Sequence, residues 1–195
     1  MDLRVYKILK HTKVEGPGIR YCIWFQGCSR HCKGCFAKAT WSKTKGKLYN
    51  ADDILRDIIS AKDIEGVTFL GGEPFEQPEV LEYLSRNIQK SGLSVLCFTG
   101  NRIEDLRTTY PKILDNIDIL IDGEFIEEQK DYSRPWVGSK NQRYHFLTDR
   151  YNESILTEYR NKLEVNIQKN GLIFINGMGN FEELTKNLDN MLTKH

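Results

Sequence analysis

Three cysteines stand within eight residues, Cys28-Ser-Arg-His-Cys32-Lys-Gly-Cys35, at the end of an apolar run that closes on Gly27. Thiolates are soft ligands that suit zinc and iron–sulfur clusters. An odd number of neighbouring thiols cannot all pair into disulfides, and three are one short of the four ligands of a structural zinc site. They suit an iron–sulfur cluster in which one iron is left open. Zinc is the rival, with His31 or Cys22 as fourth ligand, and the spacing by itself does not separate the two. A second motif is Gly71-Gly72-Glu73-Pro74. Its glycines let the backbone approach a ligand closely, and Glu73 offers an acceptor for an ammonium group. Read as structure alone, it is a strand-end turn whose glutamate caps the next helix.

Further candidates lie at matching places along the chain. Thr99 and Asn101 end one apolar run and Asp122 ends the next; each either hydrogen-bonds a ligand or supplies turn chemistry. Phe36, directly after the third cysteine, either lies against a ligand ring or fills core space. Cys22 and Cys97 sit inside apolar runs and read as small buried hydrophobes.

The elements that must position these residues follow from periodicity. Residues 3–9 alternate loosely as a short strand, and Ile19–Phe25, rich in aromatic and β-branched residues, is a core strand that delivers Cys28 at its carboxyl end. Asn50 or Asp52 caps a helix with Ile54, Leu55, Ile58 and Ile59 on one face. Val67–Gly72 is a second core strand, 77–91 a helix, Leu93–Thr99 a third strand, Ile103–Thr109 a short helix and Ile117–Gly123 a fourth strand. Residues 124–150, polar and irregular, read as a long loop; its Arg134, Trp136 and Arg143 either dock a partner or cover a sheet edge. Lys169-Asn-Gly171 between two apolar runs signals a hairpin, and Phe181–Leu192 an amphipathic closing helix. Strands spaced by helices predict an α/β fold with parallel pairing through right-handed crossovers.

The chain has 195 residues, 39% of them hydrophobic, enough for one core and one domain, 1–195. A closed eight-stranded barrel takes about 250 residues, so an incomplete, laterally open β/α barrel is expected, with its chemistry at the carboxyl ends of the strands. A net charge of +1 gives no field that would steer the chain to nucleic acid, and no stretch has the length of a membrane span. With no export signal in the first residues, a cytoplasmic location is expected.

The Cys-x3-Cys-x2-Cys spacing is accompanied by Glu15-Gly-Pro-Gly-Ile-Arg20, Phe25-Gln-Gly-Cys28 and Thr40-Trp41. Together they resemble the radical S-adenosylmethionine (SAM) superfamily and, within it, the activases of glycyl-radical enzymes, above all those of anaerobic ribonucleotide reductase. The likeness runs over most of the chain. It implies a partial TIM-type barrel and one 4Fe-4S cluster on Cys28, Cys32 and Cys35. SAM would be held by its amino group at Gly71-Gly72-Glu73-Pro74, with Phe36, Thr99 and Asp122 as further cofactor contacts. Reductive cleavage of SAM would give a 5′-deoxyadenosyl radical that abstracts hydrogen from a glycine of the partner enzyme, with flavodoxin or ferredoxin as electron donor. Three positions depart from the family pattern: Glu15 stands where an aspartate is usual, Ala37 where asparagine is common, and Gly123-Glu124 follows Asp122 where activases often carry a lysine. Two other readings stay open: a radical SAM enzyme acting on a small molecule or a ribosomal peptide, and a non-catalytic cluster- or zinc-binding module.

Overall fold

The computed structural model describes residues 1–167, 169–180 and 184–186. In chain order they form β1 (Asp2–Thr12), β2 (Arg20–Phe25), β3 (Lys47–Asn50), α1 (Ala51–Ser60), β4 (Gly66–Gly71), α2 (Pro78–Lys90) and β5 (Ser94–Phe98). There follow α3 (Ile103–Thr109), α4 (Pro111–Leu114), β6 (Ile119–Asp122), β7 (Arg143–Phe146), α5 (Ile155–Glu158), β8 (Leu163–Ile167) and β9 (Ile173–Gly177). Seven strands make one sheet in the order β3-β1-β2-β4-β5-β6-β7, and β8 and β9 pair as a separate hairpin. The four central strands β2, β4, β5 and β6 run parallel, as expected, while β1, β3 and β7 join antiparallel at the flanks.

The central strands are largely apolar and buried along their length, as strands covered on both faces are, with polar residues such as Arg20, Thr68, Ser94 and Asp122 buried among them. In β2, Tyr21, Ile23 and Phe25 point to the layer of α1 and α2, where they meet Phe69, Leu84 and Ile88. Cys22 and Trp24 point to the other face and meet Leu70. Cys22 and Cys97 are both fully buried, the small hydrophobes their surroundings predict. Helix α1 begins where Asn50 Oδ1 accepts the Asp52 N–H at 2.8 Å, an N-cap that satisfies one of the orphan donors of the first turn. Helix α2 opens on Pro78 and buries Val80, Leu81, Leu84 and Ile88 on one face.

The edge strands are where sequence and structure part. β1 is 11 residues long, beyond the short strand expected. Lys47–Asn50, where the sequence predicts no strand, pairs with Asp2–Val5 as β3. Arg143–Phe146 lies within the stretch read as irregular and adds β7 beside β6. Neither Lys-Leu-Tyr-Asn nor Arg-Tyr-His-Phe has a strong strand pattern; both are recruited by an open sheet edge. The rest of the 124–150 segment folds back on the sheet: Trp136 is 2% exposed and packs on Tyr159 at 5.0 Å between ring centroids. That burial makes it a cover for the sheet, not a docking residue. The closing helix expected over Phe181–Leu192 falls, apart from residues 184–186, outside the described residues.

The Glu15-to-Arg20 segment ties the sheet to the hairpin. Arg20 is fully buried, giving Nε–H to Thr68 Oγ1 at 3.0 Å and Nη2–H to the Val67 carbonyl at 2.5 Å. Glu15 Oε1 accepts the Gly177 N–H of β9 at 2.7 Å, and Phe174 of the same strand sets its ring edge-on to Trp24. The other oxygen of Glu15 is buried with no hydrogen-bond partner among the described residues. Burial pushes the Glu15 carboxyl up from 4.5 to about 7, against the Gly177 N–H and the Asn176 amide, with nearby Glu164 adding to the rise.

Between pH 4.5 and about 7 the folded chain therefore keeps a proton at Glu15 that the unfolded chain has lost, so this contribution to stability falls as pH rises. Urea unfolding of the wild type and Glu15→Gln across this range should show the wild type losing stability relative to the variant, by up to roughly 3 kcal/mol in all. A difference that stays flat with pH contradicts the assignment.

Candidate iron–sulfur centre and cofactor site

Strand β2 ends at Phe25, and the next three residues turn the chain into the cysteine loop. The loop is closed by the segment that returns after the third cysteine: Gly27 N–H donates to the Thr40 carbonyl at 2.7 Å and Cys28 N–H to that of Trp41 at 3.1 Å. The Gln26 side chain reinforces the closure through its Nε2–H bond to the Ser42 carbonyl at 2.7 Å. Thr40-Trp41 and Phe25-Gln-Gly-Cys28 are thus two sides of one clasp. Glu76 adds a further tie, its Oε1 accepting the Ser29 N–H at 2.6 Å.

Cys28, Cys32 and Cys35 are unpaired and half-buried. Burial pushes the Cys28 and Cys32 thiols up, opposed by backbone N–H groups directed at the sulfurs, those of Arg30 and His31 at Cys28 and that of Phe125 at Cys32. Such donors suit a negatively charged thiolate cluster, whose potential is tuned by hydrogen bonds to sulfur. Among the described residues no three His, Cys, Asp or Glu side chains gather closely enough to hold a single metal ion. The His31 ring stacks on Trp41 at 4.5 Å, and Cys22 is buried in β2.

The Gly71-Gly72-Glu73-Pro74 loop lies against the start of the cysteine loop because β2 and β4 are parallel and in register, Phe25 opposite Gly71. Gly72 N–H donates to the Phe25 carbonyl at 2.9 Å and Glu73 N–H to the Gly27 carbonyl at 2.8 Å. A Cβ at position 72 would sit 2.2 Å from the Gly27 oxygen, so only glycine allows this approach. Pro74 opens a short 3-10 turn that Glu73 caps, its Oε1 accepting the Phe75 N–H at 3.1 Å.

Glu73 is 3% exposed. Its Oε1 also accepts the Thr99 hydroxyl at 2.8 Å, and Oε2 the Gly100 N–H at 2.9 Å. Burial raises its pKa, and the Gly100 N–H, the Thr99 hydroxyl and the Phe75 N–H oppose that rise, as does the nearby Arg30 guanidinium. Both readings of Glu73 therefore describe it: it is a cap, and it is a desolvated acceptor beside the cysteine loop. Thr99 sits beside it and also accepts the Asn101 N–H at 3.0 Å.

Asp122 is fully buried one strand farther on, and its oxygens are engaged by the protein itself. Oδ2 accepts the Ile103 N–H at 2.8 Å and Arg143 Nη2–H at 2.5 Å, Oδ1 accepts Arg143 Nε–H at 2.9 Å, and His145 Nε2 stands 3.1 Å from Oδ1. Burial alone would raise Asp122, but His145, Arg143 and the Ile103 N–H outweigh it and hold the carboxyl well below the usual range. Arg143 also forks onto Glu104, both contacts at 2.9 Å. Phe36 is 69% exposed on the cysteine loop, so it does not fill core space. The structure thus brings the three cysteines, Gly71, Gly72, Glu73, Pro74 and Thr99 to one edge of the sheet, with Asp122 behind them.

Residues not singled out from sequence also stand here. Arg30, between the first two cysteines, reaches across to Glu73 and Asn101, and His145 stands beside Asp122. A loop arginine and a histidine of a weak edge strand carry no pattern that marks them; only the folded neighbourhood does. Arg143, read from sequence as docking a partner or covering a sheet edge, instead pairs with Asp122.

Replacing Cys28, Cys32 and Cys35 together by alanine should bring iron and sulfide close to zero after anaerobic reconstitution. Gly72→Ala should lower cluster content with the far-ultraviolet circular dichroism retained, since the added methyl separates two loops and no core strand. Full cluster loading of Gly72→Ala contradicts the tight seating of those loops.

Comparison with known proteins agrees with this chemistry. A family model described as a 4Fe-4S single cluster domain matches residues 14–145. The anaerobic ribonucleoside-triphosphate reductase-activating protein of Escherichia coli (strain K12) is 31% identical over 142 residues, covering 69% of this chain and 92% of that protein. Its namesake from Haemophilus influenzae is 34% identical over 143 residues, covering 68% and 90%, and that of Enterobacteria phage T4 is 31% identical over 143 residues, covering 70% and 89%. Among solved structures, QueE from Escherichia coli superposes on 52% of this chain with a TM-score of 0.43 and 22% identity, too loosely to carry an argument. Cysteine spacing, domain match and identity over most of the chain agree: this is an iron–sulfur protein of the radical SAM class, and it belongs to the family of anaerobic ribonucleoside-triphosphate reductase-activating proteins.

Proposed function

We propose that this chain cleaves SAM reductively at a single 4Fe-4S cluster and uses the resulting 5′-deoxyadenosyl radical to generate a glycyl radical on anaerobic ribonucleotide reductase. The observation that carries the reading is the backbone seam between the cysteine loop and Gly71-Gly72-Glu73-Pro74, Glu73 N–H to Gly27 carbonyl at 2.8 Å. A thiolate loop is thereby set beside a buried carboxylate whose natural ligand is a cation.

Cys28, Cys32 and Cys35 would hold the cluster by three of its irons. When bound, that group supplies the electron that breaks a sulfur–carbon bond of SAM; the protein supplies orientation and exclusion of water. Glu73 accepts the ammonium of SAM, and Thr99 and Gly100 hold its carboxylate in place. Gly71 and Gly72 keep that acceptor close to the cysteine loop, and Pro74 fixes the turn that aims it. Phe36, exposed on the same loop, offers a ring face to the adenine. Asp122 acts through its neighbours: by fixing Arg143 and the first N–H of α3 it sets the loop after β5, and it contributes to the cofactor site by position.

In this reading the seven-stranded sheet is the wall of an incomplete, laterally open TIM-type barrel, and residues 1–195 are one domain. An open side suits a protein substrate, because a glycine-bearing loop must enter laterally. The electron comes from flavodoxin or ferredoxin.

Under oxygen-free conditions the cluster-loaded protein, SAM and a reductant, mixed with anaerobic ribonucleotide reductase, should produce the doublet of a glycyl radical in electron spin resonance. SAM consumption without a doublet on the reductase rejects the assignment of partner.

A further inference from the structure

The inference rests on the SAM reading above and adds a residue to it. The amino-acid end of SAM carries an ammonium and a carboxylate on one carbon, so a site for it needs an acceptor and a donor side by side. Glu73 is the acceptor. The nearest cationic group is Arg30, whose Nε lies 3.6 Å from Glu73 Oε2, an ion pair too long for a hydrogen bond.

Two features show that this arginine is placed, yet free to let go of Glu73. Its one short bond is to Asn101, Nη2–H to Oδ1 at 2.5 Å, and Asn101 is itself held by its Nδ2–H bond to Thr99 Oγ1 at 3.0 Å. Gly100 makes room for it: a Cβ there would lie 2.4 Å from Arg30 Cδ. Glu73, meanwhile, already has three donors from Phe75, Thr99 and Gly100, so its charge is met without the guanidinium. The Arg30 side chain is 30% exposed and borders a cavity of about 450 Å³ that Gly100, Arg102, Gly123 and Asn141 also line. Two other arginines line that wall: Arg143 is committed to Asp122 and Glu104, and Arg102 is exposed and makes no ion pair with Glu73 among the described residues.

We propose that Arg30 is the carboxylate-recognising residue of the SAM site, and that its ion pair with Glu73 is a resting arrangement into which the zwitterionic end of SAM inserts. The ligand's ammonium takes the place of the guanidinium at Glu73, and its carboxylate takes the place of Glu73 at Arg30. Each protein charge exchanges one partner for another of the same sign, so opening the pair costs little desolvation compared with exposing a lone buried charge. Arg30 is thus a positioning and specificity residue, distinct from the cluster ligands on either side of it.

The test compares binding of SAM and of decarboxylated SAM, which keeps the ammonium and the sulfonium but lacks the carboxylate. Cluster-loaded wild type, Arg30→Gln and Arg30→Lys are measured by anaerobic equilibrium dialysis, with iron content and circular dichroism confirming that each is loaded and folded. Arg30→Gln should weaken SAM binding by about tenfold or more, the loss of a charge-assisted hydrogen bond. It should leave decarboxylated SAM unchanged or tighter, because Glu73 has lost its competitor. Arg30→Lys should retain part of the preference. Equal weakening of both ligands, or none of either, overturns the assignment of Arg30 while leaving the SAM reading intact. If the loaded wild type binds neither ligand, the SAM reading falls and Arg30 falls with it.

Discussion

The Gly27 carbonyl is the point on which the candidate site turns. It accepts the Glu73 N–H at 2.8 Å, and the same oxygen would be 2.2 Å from any Cβ at position 72. Two loops from adjacent parallel strands are thereby held in backbone contact, a distance that side chains would otherwise prevent. The register of β2 and β4 brings them level, and the absence of a side chain at Gly72 lets them touch. Everything chemical that follows depends on this: a thiolate loop on one side of the seam and a carboxylate on the other.

The second constraint is electrostatic. Carboxylates at the ends of β4 and β6 are removed from water, and each is kept by donors from neighbouring elements. Glu73 at the end of β4 is met by Thr99 and Gly100 after β5; Asp122 at the end of β6 is met by Ile103 at the start of α3 and by Arg143 and His145 of β7. The two differ in what remains free. Asp122 is neutralised by a forked arginine that also clasps Glu104, which makes it a fixed part of the scaffold. Glu73 has only hydrogen-bond donors in close contact and one loose cation, the arrangement expected of a group that must receive a charged ligand.

How much of this the sequence reveals depends on whether the signal is local. The thiol spacing, the glycine pair after an apolar run and the Asn50 cap are local patterns, and the structure has each where the pattern puts it. So is Asn170-Gly171 between apolar runs, which turns the β8–β9 hairpin. The strands β3 and β7 are not local: four polar-rich residues become a strand only because a sheet edge with unpaired donors and acceptors lies beside them. Arg30 is the same case in chemistry. A lone arginine between two cysteines looks like a solvated charge, and its meaning appears only when Glu73 and Asn101, tens of residues away in sequence, are beside it. Trp136 shows the same limit differently: in sequence it either docks a partner or covers a sheet edge, and only its burial against Tyr159 selects the second.

The central proposal is a three-thiol cluster and a buried ammonium acceptor sharing one seam at the carboxyl edge of a parallel sheet. The measurement that addresses it most directly is product analysis of the cluster-loaded protein given SAM and dithionite without oxygen. Release of 5′-deoxyadenosine and methionine in equal amounts, abolished when the three cysteines are replaced, is the predicted result. Intact SAM after prolonged incubation of a fully loaded, reduced sample would contradict the account.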